Sequence, residues 1–300
     1  MEHTETTGVI LVSVSYIIWG ILSIFWSLLS EVSSLYILAH RIVWSVVFMG
    51  LYIALSGRWH EITEVFKDKR TLLICLASGI LITVNWGTYI MAVTSGHVLD
   101  ASLGYFIEPI AVAMIGVLLF KERMSRKEII TFVFAAAGLI YMIVVSRTVP
   151  MMALIIAVSF SAYGAVKKSL NLTAHTSLFM ETLCVAPLAI ALIIYMESNG
   201  TGSIGILHGT QYLLLPACGI VTSVPLLLFN TGIKQIPYYL TGILNYISPS
   251  IQFLIGLLYF HEALDVHRFI AFVLIWVGIL FTVHEKAKLI KATSRSECHT

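Results

Sequence analysis

The stretch IEPIAVAMIGVLLFKE (107–122) recurs 140 residues later as ISPSIQFLIGLLYFHE (247–262). Continued to position 138, the alignment gives 11 identities in 32 positions without a gap. Aliphatic residues inflate such counts, so the rarer matches matter more: Pro109 with Pro249, Gly116 with Gly256, Glu122 with Glu262 and Gly138 with Gly278. At a shift of 144, VSYIIWG (14–20) matches VSFSAYG (158–164). The chain is therefore predicted to contain two copies of one unit.

The two copies lie in a chain with far fewer charges than a soluble protein carries. Hydrophobic residues make up 58% of the 300 positions, and 34 residues are charged, the sum of 18 Lys+Arg and 16 Asp+Glu. This is 11% of the chain, against about 25% in soluble globular domains. The apolar stretches are continuous, which excludes the alternating strands of an outer-membrane barrel. The net charge of +2 gives no indication of nucleic-acid binding. The composition predicts an integral membrane protein.

Apolar segments of about 20 residues, the length that spans a bilayer as a helix, divide the chain into membrane crossings. The ten predicted spans are 8–29, 33–55, 71–93, 98–120, 127–146, 150–169, 176–196, 211–232, 237–260 and 267–285. Five belong to a first unit (1–146), five to a second unit (147–285), and 286–300 form a cytoplasmic tail. Because five is odd, the second unit enters the bilayer from the other side. We expect an all-α membrane protein with an inverted repeat, an arrangement found in secondary transporters.

The distribution of Lys and Arg predicts the orientation of these spans. With the N-terminus inside, the inner loops and the tail hold 15 basic residues, among them Lys167 and Lys168, whereas the outer loops hold Arg147 and Arg268. This bias follows the positive-inside rule. The first residues, MEHTETTG, lack the basic start of a cleavable signal peptide. We expect a multi-pass protein of the plasma or inner membrane with both termini in the cytoplasm.

Two prolines lie at matching positions inside predicted spans four and nine. Proline lacks an N–H group and its ring clashes with the carbonyl four residues back, so Pro109 and Pro249 are expected to bend their helices and free the carbonyls of Tyr105 and Asn245. Matched interruptions in two repeats indicate a transporter binding site. The alternative is a kink with a structural role only.

Acidic residues in the fourth span are not repeated in the ninth. An acid at mid-membrane costs roughly 2.5–3.5 kcal/mol on insertion scales, so Glu108 must be protonated, paired or in contact with water. Asp100 lies on the same helix face, close enough to the helix start to be simply solvated. The repeat places Ser248 opposite Glu108 and Leu240 opposite Asp100. A carboxylate needed for folding alone would more naturally be present in both copies, so we interpret Glu108 as functional.

Three further residues are candidates because of charge. Arg41, in the second span, stays ionised and needs a carboxylate, carbonyl groups, an anionic substrate or water. Glu181 occupies a similar depth in the seventh span, and either residue could instead be a structural ion-pair partner. His97, in the short outer turn before the fourth span, could titrate in a proton entry route, or it is solvated and inert.

Amide and aromatic side chains provide the remaining candidates for substrate binding. The third span contains NWGTYIMAV, and similar chemistry recurs in spans eight and nine. Taken singly, each of these residues is explained equally well as interhelical glue. A convergence of several would favour a binding cavity. The candidates are Asn85, Trp86, Tyr89, Asn230, Asn245 and Tyr246, together with Tyr105 of the fourth span.

Signatures of catalysis and cofactor binding are missing from the sequence. There is no GxSxG elbow, Walker loop or GxGxxG, and His261-Glu262 lacks the second histidine of HExxH. The four cysteines form no CxxC pair. We expect no cofactor, no metal site and no enzymatic activity. The segment GRWHEITEVFKDKR (57–70) is amphipathic and is predicted to lie at the membrane surface.

At this point the sequence resembles a known family. The ten spans, the five-plus-five repeat and the repeated Pro, Gly, Glu, Gly pattern are similar to the EamA domains of the drug/metabolite transporter superfamily. More narrowly, AHRIVWS (39–45), NWGTYIMAVTSGHVLDASLGYFIEP (85–109) and SFSAYGAVKK (159–168) resemble the RarD subfamily. The resemblance implies a permease; RarD proteins are usually described as chloramphenicol-sensitivity proteins with transport inferred. The subfamily more usually has Asn at the position of Glu108 and Glu at that of Asp100, so proton coupling through Glu108 rests on the physical reasoning alone.

These observations lead to one expected function and one alternative. The expected function is secondary active export of a small metabolite or drug-like molecule through a cavity between the repeats, with Glu108 exchanging a proton. The alternative is a membrane sensor or scaffold that binds a ligand without moving it. The partners are the lipid bilayer and a small-molecule substrate, with a homodimer left open because small residues at 135–138 suit helix association as well as internal packing.

Overall fold

The computed structural model of the chain describes residues 2–94, 98–147 and 151–261, together with 266–267, 269–270, 273–274 and 276–280. The side chains of 2–3, 90, 92–94, 98–106 and 146 are outside this description. Helices account for all the regular secondary structure of the described part, and no strand occurs there. His97 lies outside the described residues, as do the side chains of Asp100 and Tyr105.

Eleven α-helices follow the predicted spans closely in the described ranges. They are α1 (Glu2–Ser27), α2 (Ser34–Leu55), α3 (Trp59–Lys67), α4 (Lys69–Thr94), α5 (Val98–Leu118), α6 (Arg126–Ser146), α7 (Met151–Ser169), α8 (Ala174–Ser198), α9 (Leu214–Gly232), α10 (Tyr238–Asn245) and α11 (Ile247–Leu258). A 3₁₀ turn, Gly209–Leu213, precedes α9. The described positions of the tenth predicted span are helical as well.

Long apolar helices confirm that the chain is a multi-pass membrane protein. Within the described residues, eight helical segments are long and apolar enough to cross a bilayer, and a shorter apolar segment, Ile107–Leu118, lies in α5. Large aliphatic side chains cover the outside of the bundle; Leu73 is 63% exposed and Leu188 is 74% exposed. In water such a surface would be unfavourable, whereas in lipid it costs nothing.

Helices of the first repeat pack mainly on helices of the second, in pairs that the repeat relates. α5 lies on α7, and α11, which corresponds to α5, lies on α1. Likewise α4 packs on α7 and α8, while the corresponding α9 packs on α1 and α2. The helices α2 and α8 pack on each other, as do α5 and α10. The chain is therefore one interleaved bundle with an approximate two-fold relationship between its halves.

Two glycines 140 positions apart allow the closest of these crossings. A Cβ atom at Gly79 of α4 would collide with the backbone carbonyl of Glu181 in α8. A Cβ atom at Gly219 of α9 would collide with the backbone carbonyl of Trp44 in α2. Each glycine is required because it has no side chain. The opposing carbonyl belongs to the backbone and cannot rotate away from an added Cβ. The same crossing is thus built in both halves.

The two matched prolines do not act alike. The ninth predicted span is divided at Tyr246, so α10 ends at Asn245, the residue whose carbonyl the ring of Pro249 would meet. In contrast, α5 continues through Pro109 without being divided into two helices. Neighbouring helices can hold a proline-containing helix together, and Gly242 of α10 approaches the Pro109 carbonyl so closely that a Cβ would clash with it.

Glu122, one of the residues matched in the repeat, caps a helix of the other half. Its carboxylate accepts hydrogen bonds from the backbone N–H groups of Tyr238 (2.7 Å) and Tyr239 (3.0 Å), which begin α10. A carboxylate at a helix N-terminus satisfies donors that have no partner inside the helix. Its repeat counterpart, Glu262, lies outside the described residues.

The amphipathic segment after α2 forms α3 and is fastened to the α7–α8 loop by Glu61. The Glu61 carboxylate accepts hydrogen bonds from the hydroxyls of Thr173 (2.7 Å) and Thr176 and from Arg58 Nε (2.6 Å). Partial burial raises the pKa of Glu61, but the hydrogen bonds from Thr176, Thr173 and Arg58 outweigh it and lower that pKa to about 2. The attachment is thus made by an ionised carboxylate at neutral pH.

Candidate functional site

A central cavity opens between the two repeats. It encloses about 800 Å³, its open mouth included. Helices of both repeats form its wall. Those of the first repeat contribute Tyr16, Trp19, Leu22, Ser23, Trp26, Arg41, Asn85, Trp86, Tyr89 and Glu108, and those of the second contribute Ile156, Phe160, Asn245, Ser248 and Gln252.

The cavity occupies one half of the bundle's thickness. We call the side on which α1 begins the N side and the other the far side. On α1 the wall runs from Tyr16 to Trp26, next to the end of the helix at Ser27, on the far side. Arg41 lies in the second turn of α2, which begins on the far side. Glu108, halfway along α5, marks the deepest point. The cavity therefore extends from mid-bilayer toward the far side.

Glu108 and Asn245 meet at the floor of the cavity. The Asn245 amide donates a hydrogen bond to Glu108 Oε1, and both residues are buried, with 4% and 3% exposure. Asn245 is the last residue of α10, directly before the chain breaks. The helix break thus brings an amide of the second repeat to the acid of the first. The pair sits where a proton or a polar substrate group would contact both halves.

Arg41 is held between two indole rings in the part of the cavity nearer the far side. Its guanidinium carbon lies 4.2 Å from the centre of the Trp86 ring and 4.6 Å from that of Trp26. Its Nε donates a hydrogen bond of 3.1 Å to Thr222 Oγ1 on α9. Stacking on aromatic faces suits the planar, weakly hydrated guanidinium better than a lysine ammonium. The cation is therefore positioned rigidly at the cavity wall.

The remaining wall combines hydrogen-bonding and aromatic groups. Asn85 Nδ2 donates to the Ile156 carbonyl (2.8 Å) and to Ser159 Oγ (3.2 Å) on α7, so this amide also joins α4 to the second repeat. Tyr89 follows one turn later on the same face of α4. Asn85 therefore joins two helices and also lines the cavity.

Three predicted candidates lie elsewhere. Tyr246 is buried in a separate apolar cluster with Ala135, Met142 and Ala153. Glu181 and Asn230 belong to a polar cluster in the N-side half, which we call the Lys167 network and which comprises Ser78, Tyr163, Lys167, Ser177, Glu181 and Asn230. None of these residues lines the central cavity.

Lys167 is the main residue that sequence reasoning misassigned. Counted above as a loop cation, it lies in the last turn of α7, is 1% exposed and forms an ion pair with Glu181. The Glu181 carboxylate also accepts from Ser78 Oγ (2.9 Å) and Tyr163 OH (3.1 Å), and Lys167 donates to Ser177 Oγ. A second cation, besides Arg41, thus lies inside a described helix. Two consecutive lysines at the end of a span are typical of a loop, and only the folded structure shows that Lys167 faces α8.

Several cavity residues were not among the predicted candidates. Tyr16 and Trp19 belong to VSYIIWG, a motif used above only to align the repeats, and Gln252 is a lone amide in an apolar span. The Tyr16 hydroxyl is buried and has no hydrogen-bond partner among the residues that the structure describes. An unsatisfied buried hydroxyl on a cavity wall is available to a substrate or to water.

The polar groups of the cavity indicate what kind of ligand it could bind. The described residues contain no group of three or more His, Cys, Asp or Glu side chains arranged to hold a metal ion. The polar groups of the cavity are instead one guanidinium, one carboxyl, three amides and several hydroxyls, together with aromatic rings. This chemistry suits noncovalent binding of a small organic molecule.

Known proteins share both the sequence and the fold. The model of the EamA-like transporter family matches residues 6–144 and 148–284. The chain is 38% identical to the uncharacterized transporter YojE of Bacillus subtilis (98% of this chain, 99% of the relative) and 36% identical to protein RarD of Streptomyces exfoliatus (93% and 89%). It is 31% identical to protein RarD of Escherichia coli (98% and 100%). A crystal structure with 16% identity superposes with a TM-score of 0.72 over 95% of this chain and 99% of the other, which shows the shared fold. The chain belongs to the EamA-like transporter family.

Proposed function

We propose that the chain is a secondary active transporter that exports a small polar or drug-like molecule by rocking its two repeats about the central cavity. One observation carries this proposal: the cavity lies between the repeats, reaches mid-bilayer at Glu108 and Asn245, and is walled by both repeats. Binding at the midplane between inverted repeats is the arrangement that allows access from either side in turn.

The cavity chemistry supports a substrate with a polar group and an apolar or aromatic body. Arg41 would attract an anionic group, and Trp19, Trp26 and Trp86 offer flat apolar surfaces. The amides of Asn245 and Gln252 and the Tyr16 hydroxyl would fix its orientation. A carboxylate or phosphate on a small aromatic or aliphatic frame fits these groups best.

Glu108 is the proposed carrier of the coupling proton. The sequence has no Walker loop that would bind ATP, so an ion gradient is the expected energy source. Glu108 lies at the floor of the cavity, buried and hydrogen-bonded to Asn245. A carboxyl at this depth can bind a proton from one side and release it to the other when the repeats rock. We place the protein in the plasma or inner membrane with its N side in the cytoplasm.

Direct measurement of flux tests the proposal. Proteoliposomes are loaded with an isotope-labelled small-molecule extract of the host cells, and released compounds are identified by mass spectrometry with and without a pH gradient. We expect a small set of compounds to leave only when the protein is present, and cells that overproduce it to release the same compounds. Saturable binding of these compounds without flux would contradict transport and favour a sensor.

A further inference from the structure

We propose that the Lys167 network is the N-side gate of the transporter, closed in this structure, and that breaking the Lys167–Glu181 ion pair opens the cavity to the N side. The inference rests on the proposed function, because a gate presupposes a cavity that opens to each side in turn. It gives a role to Lys167, which the sequence analysis counted as a loop residue.

The internal repeat places the network and the cavity at equivalent positions. At the shift of 144 that aligns α1 with α7, Trp19 corresponds to Tyr163 and Ser23 to Lys167. Trp19 and Ser23 line the open cavity, whereas Tyr163 and Lys167 are 0% and 1% exposed. The same two places of the repeat are therefore open in one half and closed in the other.

The second helix of each repeat gives the same relationship. Arg41 is the eighth residue of α2 and Glu181 is the eighth residue of α8. Arg41 lines the cavity, and Glu181 is fully buried in the network. An inverted repeat that changes conformation exchanges the environments of its two halves. In the state in which the cavity opens to the N side, the contacts of the Lys167 network are then broken.

The network occupies the half of the bundle that an N-side pathway would need to cross. Lys167 is two residues from the end of α7, Ser177 is in the first turn of α8, and Asn230 is two residues from the end of α9. All three helix ends lie on the N side. With Ser78 and Tyr163, these residues bridge α4, α7, α8 and α9 in the N-side half of the bundle.

Energetics favour an ion pair over apolar packing for a closure that must reopen. Removing two charges from water costs several kcal/mol per ion, and their attraction returns a similar amount, so a buried pair contributes little net stability. When the halves separate, both ions regain water. An apolar closure would instead expose hydrophobic surface on opening, so it would hold the gate shut.

Two cysteine reporters test the gate without a substrate. The first is native Cys75, which is fully buried three residues before Ser78, in a chain whose Cys184, Cys218 and Cys298 are replaced by alanine. The second is Ser23→Cys on the cavity wall in a chain without other cysteines. Lipid nanodiscs leave both faces of the bilayer accessible, and the rate of modification by a membrane-impermeant maleimide is measured for each.

The gate predicts reciprocal changes in the two reporters. Glu181→Gln leaves the Lys167 ammonium without its counter-ion in the closed state, so Cys75 modification should rise at least about tenfold and Ser23→Cys modification should fall. Replacing both partners, as Lys167→Met with Glu181→Met, removes the charges together and favours closure. Cys75 modification should then be slower than in the chain that retains both Lys167 and Glu181. Glu128→Gln, which alters a buried carboxylate outside the network, should change neither rate.

Other outcomes would overturn the gate. Loss of structure alone would raise both rates together, and a network without a gating role would leave the ratio of the two rates unchanged in Glu181→Gln. If the double replacement increases Cys75 modification as the single one does, the ion pair is structural. Flux with an unchanged ratio refutes the gate only, and a reciprocal change without flux of any compound refutes the proposed transport only.

Discussion

Arg41 and Glu181 occupy the same position in the two repeats, the eighth residue of α2 and of α8, and carry opposite charges in opposite environments. Arg41 lies between two indoles on the wall of an open cavity, whereas Glu181 is buried against Lys167. The backbone repeat supplies two equivalent positions, and the unrepeated charges make their surroundings chemically different. Repeated residues build the bundle, and the residues that differ between the copies define its sites.

The close crossing of α4 on α8 predicts a difference between two glycines of one helix. Gly79→Ala should lower the free energy of unfolding by about 1–3 kcal/mol, because the new methyl group meets the backbone carbonyl of Glu181. Gly87→Ala, also in α4, should be neutral or stabilising by up to about 1 kcal/mol, since its nearest neighbour is Leu38 Cδ2 at 3.7 Å. Thermal unfolding in detergent measures both, and equal effects would contradict the crossing.

The Tyr16 hydroxyl, which has no partner among the described side chains, predicts a variant that gains stability and binds the transported compound less well. Tyr16→Phe removes this buried hydroxyl, so the free energy of unfolding should rise by about 1 kcal/mol, while KM for the transported compound rises. Tyr163→Phe is the matched control. Its hydroxyl donates to Glu181, so this change should cost about 1–3 kcal/mol. Destabilisation by Tyr16→Phe would show that the hydroxyl has a structural partner.

The attachment of α3 has a defined pH dependence. Because hydrogen bonds lower the pKa of Glu61 to about 2 from an ordinary value of 4.5, its contribution to stability is complete above about pH 4.5 and is lost as the pH falls toward 2. The protection of the α3 amides against hydrogen exchange, corrected for the intrinsic exchange rate at each pH, should therefore be constant around neutral pH and fall in acid.

A matched pair of variants isolates this contribution. Glu61→Gln should accelerate exchange in α3 already at neutral pH, because the neutral amide is a weaker acceptor for Thr173, Thr176 and Arg58. Glu64→Gln, in the same helix, removes only an exposed ion pair with Lys67 and should have little effect. If the two variants exchange alike, Glu61 does not hold α3.

Much of the fold follows from patterns within the sequence, because a bilayer leaves few alternatives to apolar helices. The apolar segments and the repeat anchored on Pro109 and Pro249 predicted the helices, and the mid-membrane position singled out Glu108. The break at Tyr246 but not at Pro109 depends on what packs on each proline, which no local pattern contains. Lys167 shows the same limit: a lysine at a span end is read as a loop residue, and its burial depends on Glu181, which is 14 residues away on another helix.

The central claim, that Glu108 couples proton movement to transport, is tested most directly by Glu108→Gln in proteoliposomes. The amide has the shape of the protonated acid and can still accept the hydrogen bond from Asn245, but it cannot release a proton. We predict that flux of the transported compounds driven by a pH gradient falls by at least about tenfold, while exchange without a gradient and the melting temperature change little. Unchanged gradient-driven flux in Glu108→Gln would contradict the account.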